Sequence, residues 1–274
     1  MGYTTNKIAV VTGAGSGIGR ALAIALNREG CALYLSDINP EALAQTAALL
    51  DTNKAAVNTD VIDAASKDAM HAWAERIAAQ SGHVDIVINN AGVALMSLVE
   101  ETDYQDIEWL MDINFWGVVY GTKAFLPLLR QSREANLVNI SSVFGIFAVP
   151  TQSAYNAAKF AVRGYTEALR QELAGSNIHV CCVHPGGIKT NIARSARVVD
   201  PTRSADERGD QFEKMAGTSA ESAAAQILEA AARHKPRLLI GWDARILSII
   251  TRLFPVRYPT LVGWFLRMSD QEAR

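Results

Sequence analysis

The stretch Thr12-Gly13-Ala14-Gly15-Ser16-Gly17-Ile18-Gly19 joins an apolar run at 8–12 to a segment at 17–29 in which Ile18, Leu22, Ala25 and Leu26 recur at helical spacing. It reads as a tight turn between a buried strand and a helix. The glycines follow G-x-x-x-G-x-G through Gly13, Gly17 and Gly19. Gly13 lets the chain turn sharply, Gly17 lets the backbone approach a pyrophosphate, and Gly19 lets the helix pack closely. Ser16 and Ile18 lie at the helix start, where free N–H groups and the helix dipole attract phosphate. In isolation the motif is weak, since a ligand-free flexible loop has the same composition. Its place after the first strand of a β-α-β unit makes it a dinucleotide site.

Strand and helix patterns alternate outward from this turn. Strands are predicted at 32–36, 55–58, 85–89, 137–141 and 178–183, and helices at 40–50, 63–80, within 104–130 and at 152–174. Asp63 is the expected N-cap of the third helix. A helix at 220–234 and a strand at 237–242 complete the series. Short apolar strands in repeated β-α-β units predict an α/β, Rossmann-type doubly wound fold, a seven-stranded parallel sheet with helices on both faces. Residues 1–242 read as one domain and 243–274 as an apolar helical extension. The polar stretch 193–218 reads as a mobile, partly helical loop that lids a substrate site.

Asp37 ends the second strand, 18 residues after Gly19. A carboxylate there accepts hydrogen bonds from the adenosine ribose hydroxyls of NAD and repels the 2′-phosphate of NADP. No Arg or Lys occurs in Ser36-Asp37-Ile38-Asn39. NAD is therefore expected ahead of NADP. The competing reading is that Asp37 caps the helix starting near Pro40.

Tyr155 and Lys159 lie four residues apart and share a helix face. A nearby ammonium favours the phenolate, so Lys159 is expected to lower the Tyr155 pKa and fit it for proton exchange. Alone, Tyr-x-x-x-Lys is common by chance. Here it follows Ser142 by 13 residues, after Asn89-Asn90-Ala91-Gly92 and Asn114 and ahead of Pro185-Gly186-Gly187-Ile188-Lys189-Thr190. With Thr12 to Gly19 and Asp60, this ordered set resembles the short-chain dehydrogenase/reductase family over about residues 5–190.

The resemblance implies roles residue by residue. Asn114, Ser142, Tyr155 and Lys159 would form the catalytic set. Ser142 would hydrogen-bond the substrate oxygen, and local turn chemistry would fall to Ser141. Asn114 would break a helix locally and hold a water in a proton relay with Lys159, which would also hold the nicotinamide ribose. Asp60 and Val61 would bracket the adenine. Asn90, Ala91 and Gly92 would pass near the cofactor. Pro185 and Gly186 would turn under the nicotinamide, and Ile188 and Thr190 would contact its carboxamide. The reaction implied is hydride transfer between nicotinamide and the carbon of an alcohol or ketone. Phe144, Phe147, Val149 and Gln152 are candidate pocket residues, as are Val93, Ala94 and Leu95. This mostly apolar set favours a hydrophobic substrate. The second reading is an NADP-dependent ketoreductase, against which Asp37 argues. The third is a nucleotide-binding sensor without turnover, which would lack part of the catalytic set.

The tail alternates apolar residues with Arg245, Arg252, Arg257 and Arg267. Its uncharged runs are too short to span a membrane. It packs on the body or a sister subunit, walls the pocket, or lies on a membrane with Trp264 and Phe265 inserted; the first two are favoured. A homodimer or homotetramer is implied by the family. A net charge of −2 without a basic stripe argues against nucleic acid. Cys31, Cys181 and Cys182 have no zinc spacing and read as buried hydrophobes of a reducing compartment. No metal is expected, and His184, beside the Pro-Gly turn, reads as structural. The polar N-terminus lacks a secretory apolar run, so a cytoplasmic location is expected.

Overall fold

The computed structural model describes residues 2–198 and 204–261. Seven strands form one parallel sheet: β1 (Ile8–Thr12), β2 (Ala32–Asp37), β3 (Val57–Val61), β4 (Ile86–Asn89), β5 (Ala135–Ile140), β6 (Ile178–Pro185) and β7 (Arg237–Ile240). Their spatial order is β3-β2-β1-β4-β5-β6-β7, and every pairing in it is parallel. The chain reverses direction across the sheet between β1 and β4. That leaves a crevice at the strands' carboxyl ends, the usual ligand position in such sheets.

Strand alternation divides the core in two. Ala9 and Val11 of β1 face one side and pack with Leu22 and Leu26 of α1 (Gly17–Arg28) and Ala223 and Ile227 of α8 (Ala220–Ala232). Val10 faces the other, with Trp73 of α3 (Lys67–Ser81) and Phe125 of α5 (Gly117–Gln131). Helices cover both faces because β1, β2 and β4 are apolar and buried on both, while β3 at the edge is more polar. All three cysteines are buried and unpaired.

Three local expectations need correction. Ser66, not Asp63, caps α3: its hydroxyl accepts from Ala69 N at 3.3 Å, while Asp63 Oδ1 accepts from Ala65 N at 2.9 Å inside the preceding turn. β3 runs to Val61 because its register against β2 pairs Leu33 with Val57 and Asp37 with Val61. The long helix is two, α4 (Tyr104–Met111) and α5, joined by a π-helical turn at Asp112–Trp116.

The polar stretch holds more structure than a loop. Helix α7 (Ala205–Met215) opens on a capping box between Ser204 and Glu207. Arg194 ion-pairs with Asp206 at 2.8 Å and with Asp210. Arg197–Val198 pairs with Leu95–Met96, and Arg197 reaches Asp106 at 2.7 Å while lying over the Trp109 ring. In the tail, α9 (Trp242–Leu253) packs its Ala244 and Leu247 against Val143 and Phe147 of the body. Trp264, Phe265 and Arg267 lie outside the described residues. Among the described residues no helix is long and apolar enough to cross a membrane.

Candidate active site

The glycine-rich turn has the backbone its spacing demands. Gly13 and Gly17 have φ of 65° and 50°, a region costly for any side chain. A Cβ on Gly19 would collide with the Gly13 carbonyl, so the third glycine allows the helix to press against the turn. The Ser16 side chain does not cap α1, which leaves the first N–H groups of the helix for an anion. Thr12 Oγ1 accepts from Asn90 N at 3.0 Å and Ala91 N at 3.1 Å, and Asn90 Nδ2 donates to the carbonyls of Thr12 and Gly13. The turn after β1 and the turn after β4 are thus one hydrogen-bonded unit. Thr190 closes it from the far side: its methyl would lie 3.0 Å from a Cβ on Gly17.

Asp37 stands where β2 meets this turn. Its Oδ2 accepts from Gly15 N at 2.8 Å and its Oδ1 from Asn39 N at 2.9 Å. The helix-capping alternative is overturned, because Asn39 Oδ1 caps α2 (Pro40–Ala47) through Ala42 N. The fold also brings Arg20 near, from α1 rather than from the residues that follow Asp37. Its guanidinium bonds the Gly15 and Ala42 carbonyls, Thr46 and Gln45. Asp60 turns its carboxylate to Trp73 Nε1 and Arg76, both at 2.8 Å, and Val61 stays exposed. The Asp60 carboxylate therefore braces α3, a use the sequence did not reveal.

The four catalytic candidates converge at the carboxyl ends of β4 and β5. Asn114 sits in the π turn, fully buried, and its amide both donates to and accepts from the Val93 backbone, at 2.9 and 2.8 Å. A Cβ on Gly92 would lie 3.1 Å from Asn114 Oδ1 and 3.4 Å from Lys159 Nζ. Lys159 Nζ donates to the Ile140 carbonyl at 3.1 Å. It lies 5.7 Å from the centre of the Tyr155 ring. Both side chains rise from α6 (Ser153–Glu172).

Burial governs the charges. It pushes the Tyr155 phenol up to about 12, against a smaller downward pull from a hydrogen bond with Ser142. It pushes the Lys159 ammonium down to about 8. No pull from Lys159 offsets the rise of the phenol in the protein alone, where the ammonium is itself desolvated and directed at the Ile140 carbonyl. The serines also exchange their expected roles in part. Ser142 Oγ accepts from Phe144 N at 3.1 Å, while Ser141 Oγ donates to the Lys159 carbonyl at 2.8 Å.

Two supporting residues escaped the sequence reading in these roles. His184 Nδ1 bonds the Ser142 carbonyl at 3.0 Å. Burial pushes its pKa down to about 4, so it is neutral and fixes the backbone under Ser142. Asp243, in the first turn of α9, accepts from Gly187 N at 2.8 Å and leaves no room for a side chain on Gly186. No local pattern marks either contact. Ile188 continues from this turn into a two-residue strand paired with Thr218–Ser219.

Above Tyr155 the walls are apolar. Phe144 packs on the Tyr155 ring at 6.1 Å, with Leu95 and Ala94 in the same cluster. Phe147 lies one layer back, 3% exposed beneath Ala244 and Tyr258, and Val149 joins that layer. Gln152 holds the start of α6 through its carbonyl, which accepts from Asn156 N at 2.7 Å.

Comparison with known proteins assigns the family. The short chain dehydrogenase family model matches residues 7–199. Oxidoreductase SadH of Mycobacterium tuberculosis is 46% identical over 265 residues, 96% of each chain, so the likeness continues into the tail. The 3-ketodihydrosphingosine reductase of Bacteroides thetaiotaomicron is 32% identical over 206 residues, 75% of this chain and 73% of that one. A short chain dehydrogenase/reductase of Burkholderia phymatum, solved in complex with NAD, superposes with a TM-score of 0.83 at 29% identity, covering 96% and 97% of the two chains. This chain belongs to the short-chain dehydrogenase/reductase family and is an oxidoreductase.

Proposed function

We propose that the protein is an NAD(H)-dependent dehydrogenase or carbonyl reductase for a hydrophobic secondary alcohol or ketone, with Tyr155 as acid and base. The observation that carries this reading is the convergence of Ser142, Tyr155, Lys159 and Asn114 at the strand ends beside the Gly13–Gly19 turn. The cradle fits a dinucleotide: two left-handed glycines, an uncapped helix start and a gap at Gly92 that a methyl group would fill. The Asp37 carboxylate favours NAD over NADP. Gly13, Ser16, Gly17, Ile18 and Gly19 would hold the pyrophosphate, and Asp60 and Val61 would bracket the adenine. Asn90, Ala91, Gly92, Pro185, Gly186, Ile188 and Thr190 would enclose the nicotinamide end.

When bound, the nicotinamide supplies or takes up the hydride. Ser142 donates a hydrogen bond to the substrate oxygen and steadies the charge developing there. Tyr155 gives its proton to that oxygen during reduction and removes it during oxidation. Lys159 would hold the nicotinamide ribose and, with Asn114, would pass protons between Tyr155 and solvent, inward after reduction and outward after oxidation. The Phe144 and Leu95 surface excludes water and receives an apolar substrate. The relative named as a 3-ketodihydrosphingosine reductase accords with such a substrate.

The test is NADH formation against steroid, long-chain aliphatic and polyol secondary alcohols, with NADP in parallel. Turnover on an apolar alcohol with NAD is expected. Turnover confined to polyols, or a preference for NADP, defeats the corresponding part of the proposal.

A further inference from the structure

Helix α9 carries two apolar faces, although a surface helix normally needs only one. Ala244 and Leu247 serve the body. On the outer face, Trp242, Ile246, Ile249 and Leu253 follow one another at steps of four, three and four residues, with exposures of 77, 43, 59 and 65%. Phe254 and Val256 extend the stripe beyond the helix, both exposed. So many large apolar side chains in one exposed row mark a contact surface.

The charges beside the stripe indicate its occupant. Arg245 and Arg252 are seven residues apart, which places them on one flank, and Arg257 follows. All three are exposed, and none makes an ion pair among the described residues. Arg245 lies 5.6 Å from the centre of the Trp242 ring. Asp243 is the one acid between residues 242 and 261, and it is directed at Gly187.

We propose that this face docks on an anionic lipid surface, with the stripe in the acyl boundary and the arginines at headgroup phosphates. A second copy fits the charges less well. A two-fold contact lays the patch against itself and brings arginines to both sides without an acid between them. The docking face also adjoins the pocket. Aromatic contacts run from Tyr155 to Phe144, from Phe144 to Phe147 at 5.4 Å, and from Phe147 to Tyr258 at 6.3 Å. Docking would set this wall beside the bilayer, where apolar substrates concentrate. That last step rests on the function proposed above; the docking itself does not.

The test is flotation of the full chain with vesicles of phosphatidylcholine, with and without phosphatidylglycerol. Binding about tenfold or more stronger to the anionic vesicles, and weakening with salt, is expected. The paired substitution Ile249→Glu and Leu253→Glu is expected to cut binding about tenfold or more while melting temperature and NADH binding hold. Arg245→Gln with Arg252→Gln is expected to erase the preference for anionic lipid. Absence of binding, or binding unchanged in the Glu variant, overturns the proposal. So does a Glu variant whose only change is conversion of a dimer to a monomer in sedimentation, which would identify a second copy as the occupant.

Discussion

The two halves of this molecule reach the crevice by different means. Around β1, β2 and β4 the site is made of backbone: left-handed glycines, an uncapped helix start, and turns tied by Thr12 and Asn90. Around the π turn, β5, β6 and the tail it is made of side chains held by distant partners, with Asn114 and His184 buried and Asp243 exposed. Asn114 grips Val93, His184 grips Ser142, and Asp243 grips Gly187. The first half binds by shape and dipole, and its requirements are local. The second half tunes proton affinity by burial, and its requirements are tertiary. Substitutions in one half should therefore leave the other's measurement intact.

Tyr155→Phe gives the largest separation. It removes the exchangeable proton and keeps the ring against Phe144, so kcat is expected to fall about a thousandfold or more. NADH binding, followed by fluorescence, should be unchanged. Loss of both together would show that the halves are not separable.

His184 comes next, through stability. Burial holds its folded pKa at about 4, below the ordinary histidine value of 6.5. Between these values the unfolded chain binds a proton that the folded chain refuses. The stabilisation is complete above pH 6.5 and is lost as pH falls toward 4, by up to about 3 kcal/mol. Denaturant melts of His184→Asn should show a flatter profile across that window. Parallel profiles would remove His184 from its assigned place.

Asp37→Asn acts on the other half. Weakening a charged acceptor for the ribose should lower kcat/KM with NAD about tenfold and narrow its lead over NADP. Tyr155-dependent chemistry should persist with either cofactor. An unchanged cofactor ratio would mean that Asp37 only orders Gly15 and Asn39.

The smallest effect falls where the halves meet. Asp243→Ala removes the acceptor for Gly187 N and frees α9 from the Pro-Gly-Gly turn. A stability loss of about 1–2 kcal/mol and a few-fold rise in the cofactor KM are expected. A loss of stability without any KM change would confine Asp243 to anchoring the tail.

The sequence by itself determined a seven-stranded parallel sheet and the identity of the crevice, because strand apolarity and glycine spacing are local consequences of backbone geometry; the order of the strands came from the structure. It also placed Tyr155 and Lys159 on one helix face, since a four-residue step needs only the helix. It could not decide what burial does to them. The Tyr155 phenol rises and the Lys159 ammonium falls because many distant segments together exclude water. His184, Asp243 and Asn114 owe their partners to packing between elements 21 to 56 residues apart. The stacking of His179 on His234, with ring centres 3.6 Å apart, is of the same kind. Local chemistry repeats along a chain and can be read there; desolvation and long-range contact exist only once the chain has closed on itself.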